Sequence, residues 1–235
     1  MNPLSQNLLE AFARAADPVA AEGMSNYMRG KFAFFGIPAP RRKALQQEAW
    51  AAHKPFDREA CLDAAALLWD EPRREAQYAA LELLAAIGKK LRAEDLPLLE
   101  DFATTRSWWD TVDALATRLI GPLAARHPEV LPAHFPQWLE SDDLWLNRVG
   151  ILYQLKYKEN TDLERLEQAI LRNVHKTDFF IQKAIGWALR ELAKTQELWV
   201  LAKLEQWGLR GLARREALKH VGPIDTSQGT ALSQK

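Results

Sequence analysis

Apolar residues recur at intervals of three and four along most of the chain, and nowhere do they alternate long enough to suggest a strand. EAQYAALELLAAIGKKL (75–91) and FFIQKAIGWALRELAKT (179–195) each lay an apolar stripe along one side of a predicted helix. Breakers punctuate the pattern at Pro38, Pro40, Pro55, Pro72, Pro97, Gly121-Pro122, Pro132, Pro136, Gly208 and Gly211. Ser141-Asp142-Asp143 and Thr177-Asp178 stand where side chains would cap the helices that follow. The pattern predicts an all-α protein.

The helices come in copies. PRRKAL (40–45), PRREAQYAALELL (72–84), SWWDTVDALA (107–116), WLNRVGILYQL (145–155), FIQKAIGWALREL (180–192) and ARREALKHV (213–221) read as one element repeated. With Ala44, Ala76, Val112, Val149, Ala184 and Ala217 taken as equivalent, the steps are 32, 36, 37, 35 and 33 residues. Two helices and two turns fill such a period, which predicts a solenoid of helical pairs. The second helix of each pair lines the concave side, and the repeated basic residues sit on that helix. One repeat domain is expected over 1–222, with a disordered tail over 223–235.

Charge adds direction to this picture. The net charge is zero, but residues 1–144 carry 16 Lys+Arg against 21 Asp+Glu, whereas residues 145–220 carry 14 against 9. A basic face in the second half would suit an extended polyanion, although scattered solvated charge would give the same count. No apolar run approaches a membrane span, the start carries no secretion signal, and the single Cys61 fits a reducing compartment and a buried position. His53, His127, His134, His175 and His220 have neither metal-ligand spacing nor carboxylate partners at suitable intervals, so no metal or cofactor is expected.

The chemistry lies off the core stripes. In SWWDTVDALATRLIG, the stripe Trp108, Val112, Leu115, Leu119 faces the core, whereas Trp109 and Asp113 share another stripe one turn apart. In FFIQKAIGWALREL the core stripe is Ile181, Ile185, Ala188, Leu192, and Lys183, Trp187 and Arg190 occupy a different face. Arg148 and Lys156 add cations in the repeat between them. A surface tryptophan beside an ion-paired aspartate would leave the same trace. The anchor alignment also turns Trp109 and Asp113 some way round from Arg148, Lys183 and Trp187, so either the register slips or the two groups line opposite sides of a groove. Arg41 and Arg42 in GIPAPRRK are placed to meet phosphates or water. Indoles attract cations, a carboxylate favours positive charge developing beside it, and basic side chains hold a phosphate backbone. Cleavage of an N-glycosidic bond in DNA needs all three, because the sugar turns cationic as the base departs.

At these residues the chain resembles the AlkD-type DNA alkylation repair glycosylases, which are built of HEAT-like repeats. MSNYMRGKFAFFGIPAPRR (24–42), WDEPRREAQYAALE (69–82), SWWDTVDALA (107–116), WLNRVGILYQLKYK (145–158), FFIQKAIGWALRELAKT (179–195) and REALKHV (215–221) carry the resemblance, and the SWWDxVD and FFIQKAIGWxLRE words are its specific part. It implies a right-handed superhelix of about six helical pairs with a concave basic face. It also implies a monofunctional, cofactor-free hydrolase that excises N3- and N7-alkylated purines from duplex DNA. Asp113 would be the catalytic carboxylate, and Trp109 and Trp187 the indoles packed on the lesion's deoxyribose. Tyr27 and Arg148 would meet the lesion-bearing backbone, with Lys156, Lys183 and Arg190 on phosphates. The family resemblance further implies a base that stays stacked, and a cytoplasmic, bacterial-type monomer that joins the nucleoid when bound to DNA. The rival expectations are a non-catalytic binder of bent or branched DNA and a protein-interaction scaffold.

Overall fold

The computed structural model describes residues 2–219, and the expected tail over 223–235 and His220 lie outside them. Among the described residues the regular structure is helical, relieved only by one isolated bridge between Ala33 and Arg73. The protein is all-α. Its residues fall into two compact units that divide between His134 and Phe135.

The first unit contains α1 (Pro3–Arg14), α2 (Pro18–Tyr27), α3 (Ala39–Trp50), α4 (Arg58–Asp70), α5 (Arg74–Ala86), α6 (Leu96–Thr104), α7 (Trp109–Ala114) and α8 (Gly121–Arg126). Helix α1 packs on α3 and α4, and α4 packs on α5. Leu8, Phe12, Leu68, Leu83 and Leu84 on these helices and Leu96 and Leu99 on α6 are buried, each worth about 1.5–3 kcal/mol relative to exposure. Trp69 stacks flat on Phe102 at 4.2 Å.

Helix α9 (Leu131–Glu140) carries the chain into the second unit, which continues with α10 (Leu144–Leu152), α11 (Leu163–Asn173), α12 (Phe179–Gln206) and α13 (Gly211–Ala217). Trp138, Phe135 and Tyr153 form an aromatic knot in its core. Helix α12 breaks at Gln196, whose φ of −135° and ψ of 46° divide it into two lengths. The first length packs Ile181, Ile185, Ala188 and Leu192 inward, the stripe expected from spacing.

The caps and terminators mostly behave as expected. Asp143 accepts from the amides of Trp145 and Leu146, and Asp178 from those of Phe180 and Ile181. Two breakers do not break. Pro136 lies inside α9, and the chain runs helically through Gly121-Pro122 because Leu115–Ile120 form a π-helical turn between α7 and α8. Proline has no N–H to give the preceding turn and its ring crowds the carbonyl four residues back, and a widened turn relieves both demands. The repeat register also needs one correction. Five of the six anchor positions are buried, but Ala44 is exposed while Leu45 and Gln46 point inward, so the first copy is shifted.

Candidate functional site

The word PRRE at 72–75 opens α5 and organises the first unit. Arg74 has no exposed surface, and its guanidinium is committed at every nitrogen. Nε donates to Asp110 Oδ2 at 3.0 Å and Nη2 to Asp110 Oδ1 at 2.6 Å. Nη2 also reaches Thr111 Oγ1 at 2.8 Å, and Nη1 reaches the Arg106 carbonyl at 2.7 Å. That carbonyl is turned toward it by a left-handed backbone at Arg106, with φ of 49°. A buried ion pair offsets its desolvation only when the geometry is bidentate and the remaining sites are filled, and here they are. One turn along α5, the Tyr78 hydroxyl donates to Asp110 Oδ2 at 2.6 Å. Burial, and then the Asp110 carboxylate, push the Tyr78 phenol well above its ordinary range, so it stays a donor.

Glu75, the next residue after Arg74, is equally buried and turns the other way. Its carboxylate accepts from the amides of Phe35 at 2.9 Å, Gly36 at 2.9 Å and Ile37 at 3.0 Å. Gly36 has φ of 85°, and a Cβ there would stand 2.0 Å from the Asp17 carbonyl oxygen, so only glycine fits. The Arg73 guanidinium lies 3.9 Å over the Phe35 ring, and that of Arg74 lies 3.9 Å over Phe32. The segment between α2 and α3 is thereby pinned to the start of α5.

Between that segment, α2 and the start of α7 is a cavity of about 420 Å³. Its apolar wall includes Met24, Met28, Phe34 and Ile37, and Tyr27, Tyr78, Trp109 and Asp110 also face it. Tyr27 is 75% exposed and Trp109 half-buried, whereas its neighbour Trp108 points into the core with Val112, Leu115 and Leu119. Asp113 is half-buried one turn beyond Trp109. Tyr27 and Trp109, expected on different grounds, therefore share a cavity. Arg42 pairs with Glu82 at 3.1 Å and lies 4.8 Å over the Tyr78 ring.

In the second unit two of the expected cations, Lys183 and Arg190, gather on a carboxylate the sequence reading missed. Glu216 on α13 pairs with Lys219 at 2.7 Å, Lys183 at 3.0 Å and Arg190 at 3.1 Å. These cations, Lys219 foremost, hold its carboxyl down to about 2. The approach of α13 to α12 depends on Gly186, where a Cβ would come 2.4 Å from Glu216 Cβ. Trp187 is half-buried on the same length of α12. Arg148 is almost wholly buried and donates through Nη1 to the Phe180 carbonyl. Lys156 is exposed, 3.9 Å from Glu191.

The histidines need a correction of detail. His134 lies 2.8 Å from Glu100, and His127 lies 3.1 Å from Glu129. The first pair joins residues too far apart in the chain for a spacing argument to find. Among the described residues no group of His, Cys, Asp or Glu is arranged to hold a metal ion, and no helix is long and apolar enough to cross a membrane.

A family profile described as DNA alkylation repair enzyme matches residues 8–221. The chain belongs to the DNA alkylation repair enzyme family. A similar solved structure is a predicted DNA alkylation repair enzyme from Enterococcus faecalis, 33% identical, with a TM-score of 0.81 over 88% of this chain and 97% of that one. The structure of AlkD2 from Streptococcus mutans is 21% identical, with a TM-score of 0.57 over 75% of this chain and 88% of that one. A third, smu.31 from Streptococcus mutans UA159, is also 21% identical, with a TM-score of 0.56 over 75% and 90%. At that identity the last two speak to the helical-repeat fold alone. No match was found among curated proteins. For a DNA alkylation repair enzyme, the PRRE network has a clear local consequence: it fixes the turn that carries Trp109.

Proposed function

We propose that this member of the family is a monofunctional DNA glycosylase that excises N3- and N7-alkylated purines from duplex DNA. Alkylation at either nitrogen makes the purine cationic and weakens its glycosidic bond. The bond breaks heterolytically, its electron pair neutralises the departing base, and the sugar becomes oxocarbenium-like. Asp113 stabilises that centre and orients the water that adds to C1′, its surplus proton passing to solvent. No general acid is needed, because the leaving group departs neutral. Trp109 and Trp187 pack on the deoxyribose, where their faces favour positive charge. Tyr27 and Arg148 contact the lesion-bearing backbone, and Lys156, Lys183 and Arg190 bind phosphates. The base remains stacked, and the enzyme works as a cytoplasmic monomer that joins the nucleoid on DNA.

The observation that carries this reading is the placement of Trp109 at the cavity wall. Asp110 is committed to Arg74 and Tyr78, and that anchor leaves Trp109 at the cavity wall with Asp113 one turn further along the same helix. The test is chromatography of bases released from methylated duplex DNA. The wild-type chain should release 3-methyladenine or 7-methylguanine, and Asp113→Asn should lose at least about 100-fold in rate while duplex affinity stays within a few-fold. Salt-sensitive binding of bent or branched duplexes with no base released would instead make the protein a DNA-binding solenoid without chemistry.

A further inference from the structure

We propose that Tyr78 is a positioning residue, whose hydroxyl on Asp110 sets the first turn of α7 and with it the tilt of the Trp109 indole over the cavity. The inference rests on the glycosylase reading and adds to it a residue that acts through another.

Helix α7 is poorly equipped to hold its own start. It has six residues before the pitch widens into the π turn, and Trp108 at its N-cap provides no side-chain hydrogen bond to the first amides. The restraint comes from outside. Arg74 and Tyr78 lie four residues apart on one face of α5, and both donate to Asp110, the residue next to Trp109. Among the described residues Arg74 is the cation paired with Asp110, and its planar fork fixes the plane of the carboxylate. The third bond, from Tyr78 to Oδ2, comes from a second point along α5 and further restricts rotation of that carboxylate.

The tyrosine is itself held. The Arg42 guanidinium lies over its ring and is tethered in turn to Glu82. Tyr78 and Trp109 then face the same cavity, joined through a single residue. A ring that must lie flat on a sugar turning cationic loses its benefit with small displacements, so a constraint on the adjoining residue is felt in the chemical step.

Tyr78→Phe is the informative variant, because it deletes one oxygen and leaves the Arg74–Asp110 pair in place. Single-turnover release of 7-methylguanine at saturating enzyme should slow about tenfold. The dissociation constant for the duplex should stay within about twofold, while Tm falls by several degrees with the lost buried hydrogen bond. In protein labelled with 5-fluorotryptophan, the fluorine resonance assigned to Trp109 through Trp109→Phe should shift or broaden. An unmoved resonance, or a rate equal to wild type, overturns the proposal. So does a loss shared equally between affinity and rate. If the wild-type chain releases no base, or Asp113→Asn releases it at full rate, the glycosylase reading falls instead, and the fluorine spectrum alone then decides whether Tyr78 sets the indole.

Discussion

Arg74 and Glu75 are consecutive residues that hold two different walls of one cavity. Arg74 grips Asp110 at the head of α7, and Glu75 grips the amides of Phe35, Gly36 and Ile37 in the segment after α2. Successive side chains on a helix point about 100° apart, so the opening turn of α5 can brace both walls at once. Any movement of one wall against the other must then work against two buried, multiply bonded charges.

Breaking the Arg74 half should be costly. Arg74→Met strands the Asp110 carboxylate in a site where it is nearly enclosed, and removing one partner of a buried pair costs about 3–5 kcal/mol. Urea denaturation should show a loss of this size, and a double-mutant cycle with Asp110→Leu should show strong non-additivity. Additive losses would mean that the pair does not act as a unit.

The Glu75 half should fail more locally. Glu75→Gln leaves one oxygen to serve three amides, so about 1–3 kcal/mol of stability should go. Hydrogen exchange at the amides of residues 35–37 should accelerate beyond what the global loss explains. Exchange that quickens everywhere alike would deny Glu75 its special hold on that segment.

Glu216 makes the acid limb of the stability curve predictable. Its folded carboxyl sits near 2, below the ordinary value of 4.5, so its contribution is complete above about pH 4.5 and drains away as pH falls toward 2. Glu216→Gln should remove that slope, with a difference from wild type on the order of 1–2 kcal/mol near neutrality that closes by about pH 2. Thermal unfolding from pH 2 to 6 reads it directly. A gap that is constant with pH would locate the effect in packing.

Lys183 should bind DNA at the expense of its bond to Glu216. If it meets a phosphate, Lys183→Ala should lower the slope of log affinity against log salt by about one, equally for damaged and undamaged duplexes. An unchanged slope would assign Lys183 to holding α13 alone.

What could be read from the sequence was whatever repeats within a turn or two. The stripes of α7 and α12, the Asp143 and Asp178 caps, and the separation of Trp109 from the core all follow from spacing, and each stands in the structure. The pairings between residues distant in the chain do not. Arg74 with Asp110, Glu75 with the 35–37 amides, and Glu216 with Lys183 and Arg190 join residues from neighbouring repeats, and no local period encodes which charge will meet which. Asp110 and Asp113 look alike in SWWDTVD, and nothing in their spacing says that Asp110 is the one Arg74 will meet. Pro122 and Pro136 misled for a related reason, since a helix held by its neighbours tolerates a missing hydrogen bond that would end an isolated one.

Cys61 brings a last consequence. It is the chain's one thiol, it has no exposed surface, and burial together with Asp57 raises its ionisation to about 11. At neutral pH only about one molecule in ten thousand would carry the thiolate. Methylating electrophiles attack soft sulfur anions by choice, and this protein keeps its only cysteine sulfur protonated and out of their path. Its one thiol is therefore shielded from alkylation for as long as the fold around it stays closed.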